Sequence, residues 1–378
     1  MKKVIYIAHF PLNQKIAKEY FFDYLIKKQV TVEYWYLVNS VFTYDDAKGK
    51  YNEQHVVTIF NDKQLEEKII KERDKDNSYL VLEWHGYKSH SLFRILTRNN
   101  CKLFFIEWGR IPMKKRNTIS RVTSLILNVK DNYRLFLDKI TVLFSKRFNL
   151  IKPFDVVFTA GESSCGANGL KRIPINFFDY STYLDVNNIS ERIIKKPYCV
   201  FLDINLAFHK DLKWVGLNYI DPLKYHSALN KFFTQIETQY GVQVVVAAHP
   251  TASYDDKIFE GRMVLNGATA RLIKDSEFVI SHHSTSISYA VLNKKPLAFI
   301  YSDEIAKIYK NTIFNYIQDF AEYLGASMYN IDDTTRKVQA VINSVNQDKY
   351  NKYKYDFLTS KESENISSEE IFFKEITS

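Results

Sequence analysis

The sequence predicts an α/β protein with two Rossmann-like, doubly wound lobes that face a central cleft. Short, strongly apolar segments recur along the chain and alternate with helical segments, which is the pattern of a parallel sheet covered by helices. The pattern occurs twice, once in each half of the chain. A chain of 378 residues is also too long for one ordinary core, so two domains are expected.

The first half begins with a buried strand, KVIYIAHF, at residues 3–10, followed by a helix over 13–29. Four further strands are predicted here: TVEYWYLV (31–38), YLVLEWH (79–85), KLFFIEWG (102–109) and FDVVFTAG (154–161). No G-x-G-x-x-G follows the first strand, so a dinucleotide-binding fingerprint is absent. We place the N-terminal lobe at residues 1–190.

The second half repeats the plan. Its predicted strands are PYCVFLDI (197–204), VQVVVAAHP (242–250), FVISHHS (278–284) and PLAFIYS (296–302). Its predicted helices lie near 222–239, 267–275, 285–293, 303–310 and 333–347. Because the stretch before the first of these strands is polar, we place the second lobe at 191–350 and a polar C-terminal tail at 351–378.

Composition excludes several classes of protein. A hydrophobic content of 46% with 15% aromatic residues excludes a disordered chain. Cys101, Cys165 and Cys199 lie in or beside apolar runs without metal-site spacing, which indicates reduced thiols. We find neither a signal peptide nor an apolar stretch long enough to span a membrane, and therefore expect a cytoplasmic protein.

Positive charge is concentrated in one segment. Residues 110–152 contain eleven Lys or Arg and two acids, an excess equal to the net charge of +9 of the whole chain. Within it, residues 118–148 carry apolar side chains at steps of three and four, which predicts an amphipathic helix. We expect peripheral contact with the inner face of the cytoplasmic membrane, or with an acceptor, although core packing also explains the apolar stripe. The basic residues include Lys114, Lys115, Arg116 and Arg121. No RNA-binding motif, zinc knuckle or helix-turn-helix signal is present, so nucleic acid ranks below lipid as a partner.

Polar side chains follow two predicted strands of the second half. His249 and Pro250 end one strand, and Ser284, Thr285 and Ser286 lie between the next strand and a helix. Ligands of open α/β sheets bind outside the carboxyl ends of the strands, where these groups could bind a phosphate. The alternatives are a histidine that bonds to a loop carbonyl and a helix N-cap. Strand alternation predicts that His282 and His283 point to opposite sides, so at most one of them, His283 in our assignment, contributes.

Two carboxylates are candidates for catalysis. Asp203 lies near the end of a very apolar strand, where an acid is costly unless it is used or paired. It could act as a general base, as a covalent nucleophile, or as a structural acid that caps a loop. Glu162 follows a strand of the first lobe and could act as a catalytic acid or lie in an ordinary turn. Arg262 could pair with a donor phosphate or be a surface residue.

The segments FLDINLAFHKD (201–211), VVVAAHP (244–250) and ARLIKDSEFVISHHSTSISYAVLNKKPLAF (270–299) resemble bacterial surface-carbohydrate glycosyltransferases of the GT-B type. More narrowly, the chain is similar to transferases that use CMP-activated ulosonic acids, such as sialyltransferases and Kdo transferases. Their His-Pro motif and Ser/Thr motif, which bind CMP, match His249-Pro250 and Ser284-Thr285 here. The resemblance covers roughly residues 155–300.

The resemblance implies transfer of an ulosonic acid from CMP to a lipid-linked or polysaccharide acceptor of a lipopolysaccharide or capsule. The acidic catalytic motif of the sialyltransferases is missing, which leaves Asp203 or Glu162 to supply a carboxylate and leaves inversion or retention open. No Asp-x-Asp motif is present, so we expect neither a metal nor a cofactor other than the donor. The alternatives are a UDP- or GDP-hexose transferase, a sugar-nucleotide epimerase and a non-catalytic assembly scaffold.

Overall fold

The computed structural model describes most of the chain. The described residues are 3–38, 51–72, 76–108, 111–112, 137, 140–145, 147–163, 166–208, 218–255, 257–333 and 345–378. They form two compact domains. Among them, the first domain contains the residues up to Asn176, apart from 111–112, together with Thr359–Ser378. The second domain contains Phe177–Leu358 and residues 111–112.

In its described part, the first domain contains a seven-stranded parallel sheet with the order β3-β2-β1-β4-β5-β6-β7. Its strands are β1 Lys3–Ala8, β2 Thr31–Leu37, β3 Val56–Ile59, β4 Ser78–Val81, β5 Lys102–Glu107, β6 Phe154–Ala160 and β7 Gly169–Ile175. Its helices are α1 Gln14–Glu19, α2 Phe22–Lys27, α3 Asp62–Lys71 and α4 His90–Arg98, with a 3₁₀ turn at Glu53–His55 and a C-terminal helix, α12, at Ser368–Ile376. The predicted parallel sheet is therefore confirmed.

Both faces of this sheet are buried, as near-continuous apolar strands require. Side chains of β1 alternate between two cores: Val4 and Tyr6 pack on one face, and Ile5 and Ile7 pack on the other together with Trp35. All five are fully buried. The aromatic and β-branched composition of these strands thus follows from burial on two sides.

The helix predicted over 13–29 is two short helices, α1 and α2. The break falls at Phe21, whose φ of 61° lies in the left-handed region. No glycine or proline accounts for this conformation. The ring of Phe21 packs against Phe372 of α12 at 5.1 Å between centroids, so a long-range contact holds the break in place.

The second domain carries, in the residues described, a six-stranded parallel sheet with the order β10-β9-β8-β11-β12-β13. Its strands are β8 Tyr198–Leu202, β9 Gln243–Ala248, β10 Val264–Asn266, β11 Val279–Ser281, β12 Leu297–Tyr301 and β13 Ser327–Asn330. Its helices are α5 Phe178–Asn187, α6 Pro222–Tyr240, α7 Thr269–Asp275, α8 Ile287–Leu292, α9 Asp303–Ile308, α10 Ile313–Leu324 and α11 Gln347–Tyr353, with a π-helical turn at Lys354–Leu358. None of the helices in the described ranges is long and apolar enough to cross a membrane.

The domain boundary lies earlier than the predicted position after residue 190. Helix α5 belongs to the second domain, where Tyr289 donates to Asp179 Oδ1 at 3.0 Å. Lys274 also donates to the carbonyl of Val186 at 3.1 Å. The polar sequence after α5 looked like a linker, but the contacts of the helix before it decide the boundary.

The predicted polar tail is helical and divided between the domains. Helix α11 and the π-helical turn bury Tyr353 and Phe357 in the second domain. Helix α12 returns to the first domain, where Phe372 and Ile376 are fully buried and the Ile376 carbonyl accepts a hydrogen bond from Ser78 Oγ at 2.9 Å. The apolar positions of α12 are four residues apart, and their many polar neighbours obscured this spacing.

The strand order reverses once in each sheet. In the first sheet the reversal falls between β1 and β4, and in the second between β8 and β11. The carboxyl ends of strands at such a switch point diverge and leave a crevice in which ligands of open α/β sheets bind. Each domain therefore offers one position for a ligand at its own sheet edge.

Candidate functional site

The polar residues predicted for the second half meet at the switch point of the second sheet. Leu202 of β8 pairs with Ala247 of β9 and with Ser281 of β11. Because the strands are parallel and in register, the residues that follow them share one edge of the sheet. This edge carries Asp203, His249 and the turn that begins at Ser284.

Asp203 connects the ends of β8 and β9. The residue is 8% exposed. One carboxylate oxygen accepts from the backbone N–H of Asn205 at 2.8 Å, and the other accepts from the backbone N–H of His249 at 3.2 Å and from Tyr254 Oη at 2.5 Å. Burial and the neighbouring carboxylate raise the pKa of Tyr254, so this phenol remains a donor. Asp203 thereby holds the backbone of His249 in place.

The imidazole of His249 is oriented by the residue two positions further on. Its Nδ1 accepts from the backbone N–H of Thr251 at 3.3 Å and lies 2.8 Å from Thr251 Oγ1. A backbone N–H can only donate, so the proton of the neutral ring is on Nε2. Nε2–H is the form that can donate to a phosphate oxygen. Pro250 is exposed beside this ring.

The two histidines after β11 have different environments. His282 is fully buried, with Nδ1 2.7 Å from the Ile300 carbonyl and Nε2 2.8 Å from Tyr225 Oη. Burial lowers the pKa of His282 to about 3, so this ring is neutral and part of the core. His283 is half-buried and its ring lies 5.7 Å from that of Tyr316. Of the pair, His283 is the more accessible from solvent.

The hydroxyl-rich turn opens helix α8. Ser284 Oγ accepts from the backbone N–H of Ser286 at 3.2 Å, while Ser286 occupies the N-cap position without a capping bond from its own side chain. Thr285 is exposed. The Ser286 side chain thus makes no N-cap hydrogen bond to the helix, and the Ser284 hydroxyl stabilises the turn instead.

Arg262 is engaged within the domain, and we do not retain it as a donor-binding residue. Its Nε and Nη2 donate to the two carboxylate oxygens of Glu237 at 3.1 and 2.8 Å. Nη1 donates to Asn230 Oδ1 at 3.2 Å, and the guanidinium lies over the ring of Phe233 at 5.5 Å. With its side chain only 10% exposed, Arg262 fastens the start of β10 to helix α6.

The remaining predicted residues lie elsewhere. Glu162 is exposed in the turn after β6 of the first domain, where Gly161 has the left-handed φ of 74° expected of a tight turn. The structure therefore places Glu162 and Asp203 in different domains. The basic residues Lys114, Lys115, Arg116 and Arg121 are outside the described part of the chain. Within that part, no group of three or more His, Cys, Asp or Glu side chains could hold a metal ion.

Sequence reasoning missed a pair of residues at the switch point of the first sheet. His9 follows β1, Glu83 follows β4, and the backbone N–H of His9 donates to Glu83 Oε1 at 3.1 Å. The available signal was an ionisable side chain one or two residues past each of two apolar strands. We read both residues as parts of the strands, which hid their common position.

Comparison with known proteins supports the fold. No family model matches the chain, and no curated protein matches it. Among solved structures, UDP-GlcNAc 2-epimerase from Methanocaldococcus jannaschii is similar with a TM-score of 0.51 and 12% identity over 100% of both chains. The wall teichoic acid polymerase TagF is similar with a TM-score of 0.50 and 11% identity over 100% of this chain and 89% of that chain. CalG4, the calicheamicin glycosyltransferase, has a TM-score of 0.48 and 9% identity, covering 94% of each chain.

The two parallel sheets and this likeness define a two-domain protein of the GT-B fold.

Proposed function

We propose that the protein is a glycosyltransferase that moves a sugar from a nucleotide donor to a glycan or glycolipid acceptor. The observation that carries the proposal is the switch point of the second sheet, where Asp203 holds the backbone of His249 and the N–H of Thr251 fixes the His249 ring in the tautomer with a proton on Nε2. A hydrogen-bond donor that is fixed at a strand end, beside a hydroxyl-rich turn, can stabilise a phosphate leaving group as it gains negative charge. The fold shared with an epimerase and a polymerase, whose names refer to UDP-GlcNAc and teichoic acid, agrees with this chemistry.

The donor we propose is a CMP-linked ulosonic acid of the sialic acid or Kdo kind. The support is the resemblance of His249-Pro250 and Ser284-Thr285 to the motifs of that family. In this proposal His249 donates to the phosphate, with Ser284, Thr285, Ser286 and His283 as further contacts. Asp203 positions His249, since its carboxylate already accepts three hydrogen bonds. Glu162, which is exposed, is the carboxylate that solvent or an acceptor can reach.

The acceptor we propose is lipid-linked or a surface polysaccharide such as lipopolysaccharide or capsule. Residues 110–152 carry the excess positive charge of the chain, which favours anionic lipid headgroups. Peripheral contact with the inner face of the cytoplasmic membrane would place the enzyme beside such an acceptor.

An epimerase that acts on a sugar nucleotide is the second candidate. The likeness to UDP-GlcNAc 2-epimerase over the full length of both chains favours it. An epimerase needs the donor site but no acceptor. It would change the configuration of the sugar in UDP-GlcNAc, and the product would still carry the nucleotide.

Thermal melting of the protein with CMP, UDP and GDP tests the nucleotide. We expect CMP to raise the melting temperature most. A larger shift with UDP or GDP would replace the CMP donor by a hexose donor, and no shift with any nucleotide would favour a scaffold. Conversion of UDP-GlcNAc to its epimer without an acceptor would establish the second candidate instead.

Two substitutions of His249 test the phosphate contact. His249→Asn places an amide oxygen where Nδ1 accepts from Thr251, but it lacks the Nε2–H donor. His249→Gln places an amide N–H near the Nε2 position. We expect CMP release from CMP-sialic acid or CMP-Kdo to fall about 10²- to 10³-fold in His249→Asn and less in His249→Gln. Full activity and donor affinity in His249→Asn would refute the assignment.

A further inference from the structure

The loop that carries His249 is closed on a single oxygen atom. The backbone N–H of His249, where the loop begins, donates to Asp203 Oδ2 at 3.2 Å. Tyr254 Oη, where the loop ends, donates to the same oxygen at 2.5 Å. Residues 249–254, which we call the imidazole loop, are therefore held at both ends by one buried carboxylate.

Hydrogen bonds inside the imidazole loop fix its shape. The backbone N–H of Ala252 donates to the His249 carbonyl at 2.8 Å, and the backbone N–H of Thr251 donates to Nδ1 of the His249 ring at 3.3 Å. The ring of Pro250 restricts the backbone between them. Because these bonds join residues of the loop to one another, they set its shape but not its position over the strand ends. Both bonds to Asp203, which follows β8, contribute to that position.

The side chain of Tyr254 is held where its bond to Asp203 requires it. Its ring packs edge-on against the buried ring of Phe259 at 5.1 Å between centroids. Its hydroxyl oxygen also lies 3.2 Å from Oδ1 of Asn205, on the loop after β8. Burial and the neighbouring carboxylate raise the pKa of the phenol, so the hydroxyl keeps its proton and remains a donor at neutral pH.

We propose that Tyr254 is a positioning residue for the donor phosphate: it acts through Asp203 to hold the imidazole loop where Nε2–H of His249 can meet a phosphate oxygen. The proposal rests on the nucleotide site proposed above. A hydrogen-bond donor stabilises an anion best when it is oriented in advance, and a small displacement reduces the effect strongly. Loss of the Tyr254 hydroxyl should therefore weaken nucleotide binding without any contact between Tyr254 and the nucleotide.

A purely structural role of this hydroxyl would give a different result. The hydroxyl joins the loops that follow β8 and β9, so its removal lowers the stability of the second domain under either explanation. Only a positioning role also lowers the affinity for nucleotide. Affinity and stability must therefore be measured separately on the same variants.

Tyr254→Phe removes the hydroxyl and keeps the ring that packs against Phe259. Calorimetric titration measures the affinity for CMP, or for UDP if UDP gives the larger melting shift, and urea unfolding measures stability. We expect the Kd for the nucleotide to rise about 5- to 30-fold, because the end of the imidazole loop is no longer bound to Asp203.

Tyr198→Phe is the matched control. Tyr198 is buried at the amino end of β8, away from the candidate site, and its hydroxyl donates to the Leu272 carbonyl at 2.7 Å. Loss of this hydroxyl should lower the stability of the same domain and leave the Kd for the nucleotide unchanged.

A double-mutant cycle tests whether Tyr254 acts through the imidazole. His249→Asn lacks the Nε2–H donor, so the position of the loop should no longer matter for the phosphate. Tyr254→Phe should then change the Kd by less than about twofold in the His249→Asn background. An effect as large as that in the wild-type background would show that Tyr254 affects binding by another route.

Amide hydrogen exchange at His249 provides a measurement on the wild-type protein. The bond from this N–H to Asp203 should protect it from exchange, and bound CMP should protect it further. Exchange should be faster in Tyr254→Phe. A His249 amide that exchanges freely in the wild-type protein would contradict the proposal, even if the variant failed to fold.

Three further results would overturn the proposal. The first is wild-type affinity in Tyr254→Phe. The second is an equal loss of affinity in Tyr198→Phe, which would show that affinity follows stability rather than the position of the loop. The third is a wild-type protein that binds neither CMP nor UDP, which would refute the nucleotide site itself and the positioning role with it.

Discussion

The buried imidazole of His282 should make the second domain sensitive to acid. The ring is enclosed between the Ile300 carbonyl and Tyr225 Oη, and burial lowers its pKa from 6.5 to about 3. The unfolded chain takes up a proton at this residue near pH 6.5, whereas the folded protein resists until about pH 3. Stability is therefore lost as the pH falls through 6.5, and the loss is complete only below the folded pKa.

The magnitude follows from the distance between the two pKa values. A pH of about 5 lies roughly 1.5 pH units below the pKa of the unfolded chain and above that of the folded protein. Protonation therefore favours the unfolded state there by about 2 kcal/mol. The full difference, reached below pH 3, is about 5 kcal/mol. A loss of this size is a large fraction of the stability of a typical domain.

Urea unfolding at about pH 7.5 and about pH 5 measures the effect for wild type and His282→Asn. The asparagine keeps an N–H for the Ile300 carbonyl but does not titrate. Between about pH 7.5 and about pH 5, the free energy of unfolding should fall by about 2 kcal/mol less in His282→Asn than in wild type. This difference does not depend on how much the substitution itself destabilises the protein. His283→Asn is the matched control and should retain the wild-type difference.

Equal pH dependence in wild type and His282→Asn would refute the reasoning. An independent check is the NMR signal of the His282 ring in the wild-type protein, which should not titrate between about pH 7.5 and about pH 5. A titrating signal would show that the imidazole is protonated inside the fold.

Two other predictions concern a core ion pair and the basic segment. Arg262→Ala should destabilise the second domain by about 2–3 kcal/mol, because it removes the bidentate partner of Glu237. The stabilisation by bound nucleotide should not fall. The control is Arg271→Ala, which removes a single 3.4 Å hydrogen bond to the Glu191 carbonyl. Loss of nucleotide binding in Arg262→Ala with little change in urea stability would contradict this. Glutamine at four basic positions should weaken binding to phosphatidylglycerol vesicles by about 1 kcal/mol per charge, as measured by co-sedimentation. Co-sedimentation with phosphatidylcholine vesicles should not change. Unchanged binding to phosphatidylglycerol vesicles would count against membrane contact. These positions are Lys114, Lys115, Arg116 and Arg121.

Much of the second domain was predictable because its strands are short, apolar and followed by polar residues. Helix α6 was expected at 222–239 and spans Pro222–Tyr240, with Asp221 as its N-cap and Gly241 after its end. Strand β7 of the first sheet was not predicted, because its sequence, GLKRIPI, contains a proline and charged residues. A strand can carry such residues when it lies at the edge of a sheet, as β7 does. Helix α12 was hidden by its polar neighbours.

The site was predictable only in part. Strand ends indicated Asp203, His249 and the Ser284 turn, because the carboxyl edge of a parallel sheet is the usual ligand position. The function of each side chain depended on contacts that local sequence does not contain. Arg262 meets Glu237 across 25 residues, and His9 meets Glu83 across 74.

By itself, the sequence determined the class of the protein: two parallel sheets whose apolar strands are followed by polar side chains. This follows from short-range periodicity, which records which positions are buried. Only the tertiary structure decided that Asp203 binds the backbone N–H of His249 and that the ring of His282 is neutral. It also decided the return of α12 to the first domain. The pKa of His282 and the docking of α12 both depend on partners that folding brings from distant parts of the chain.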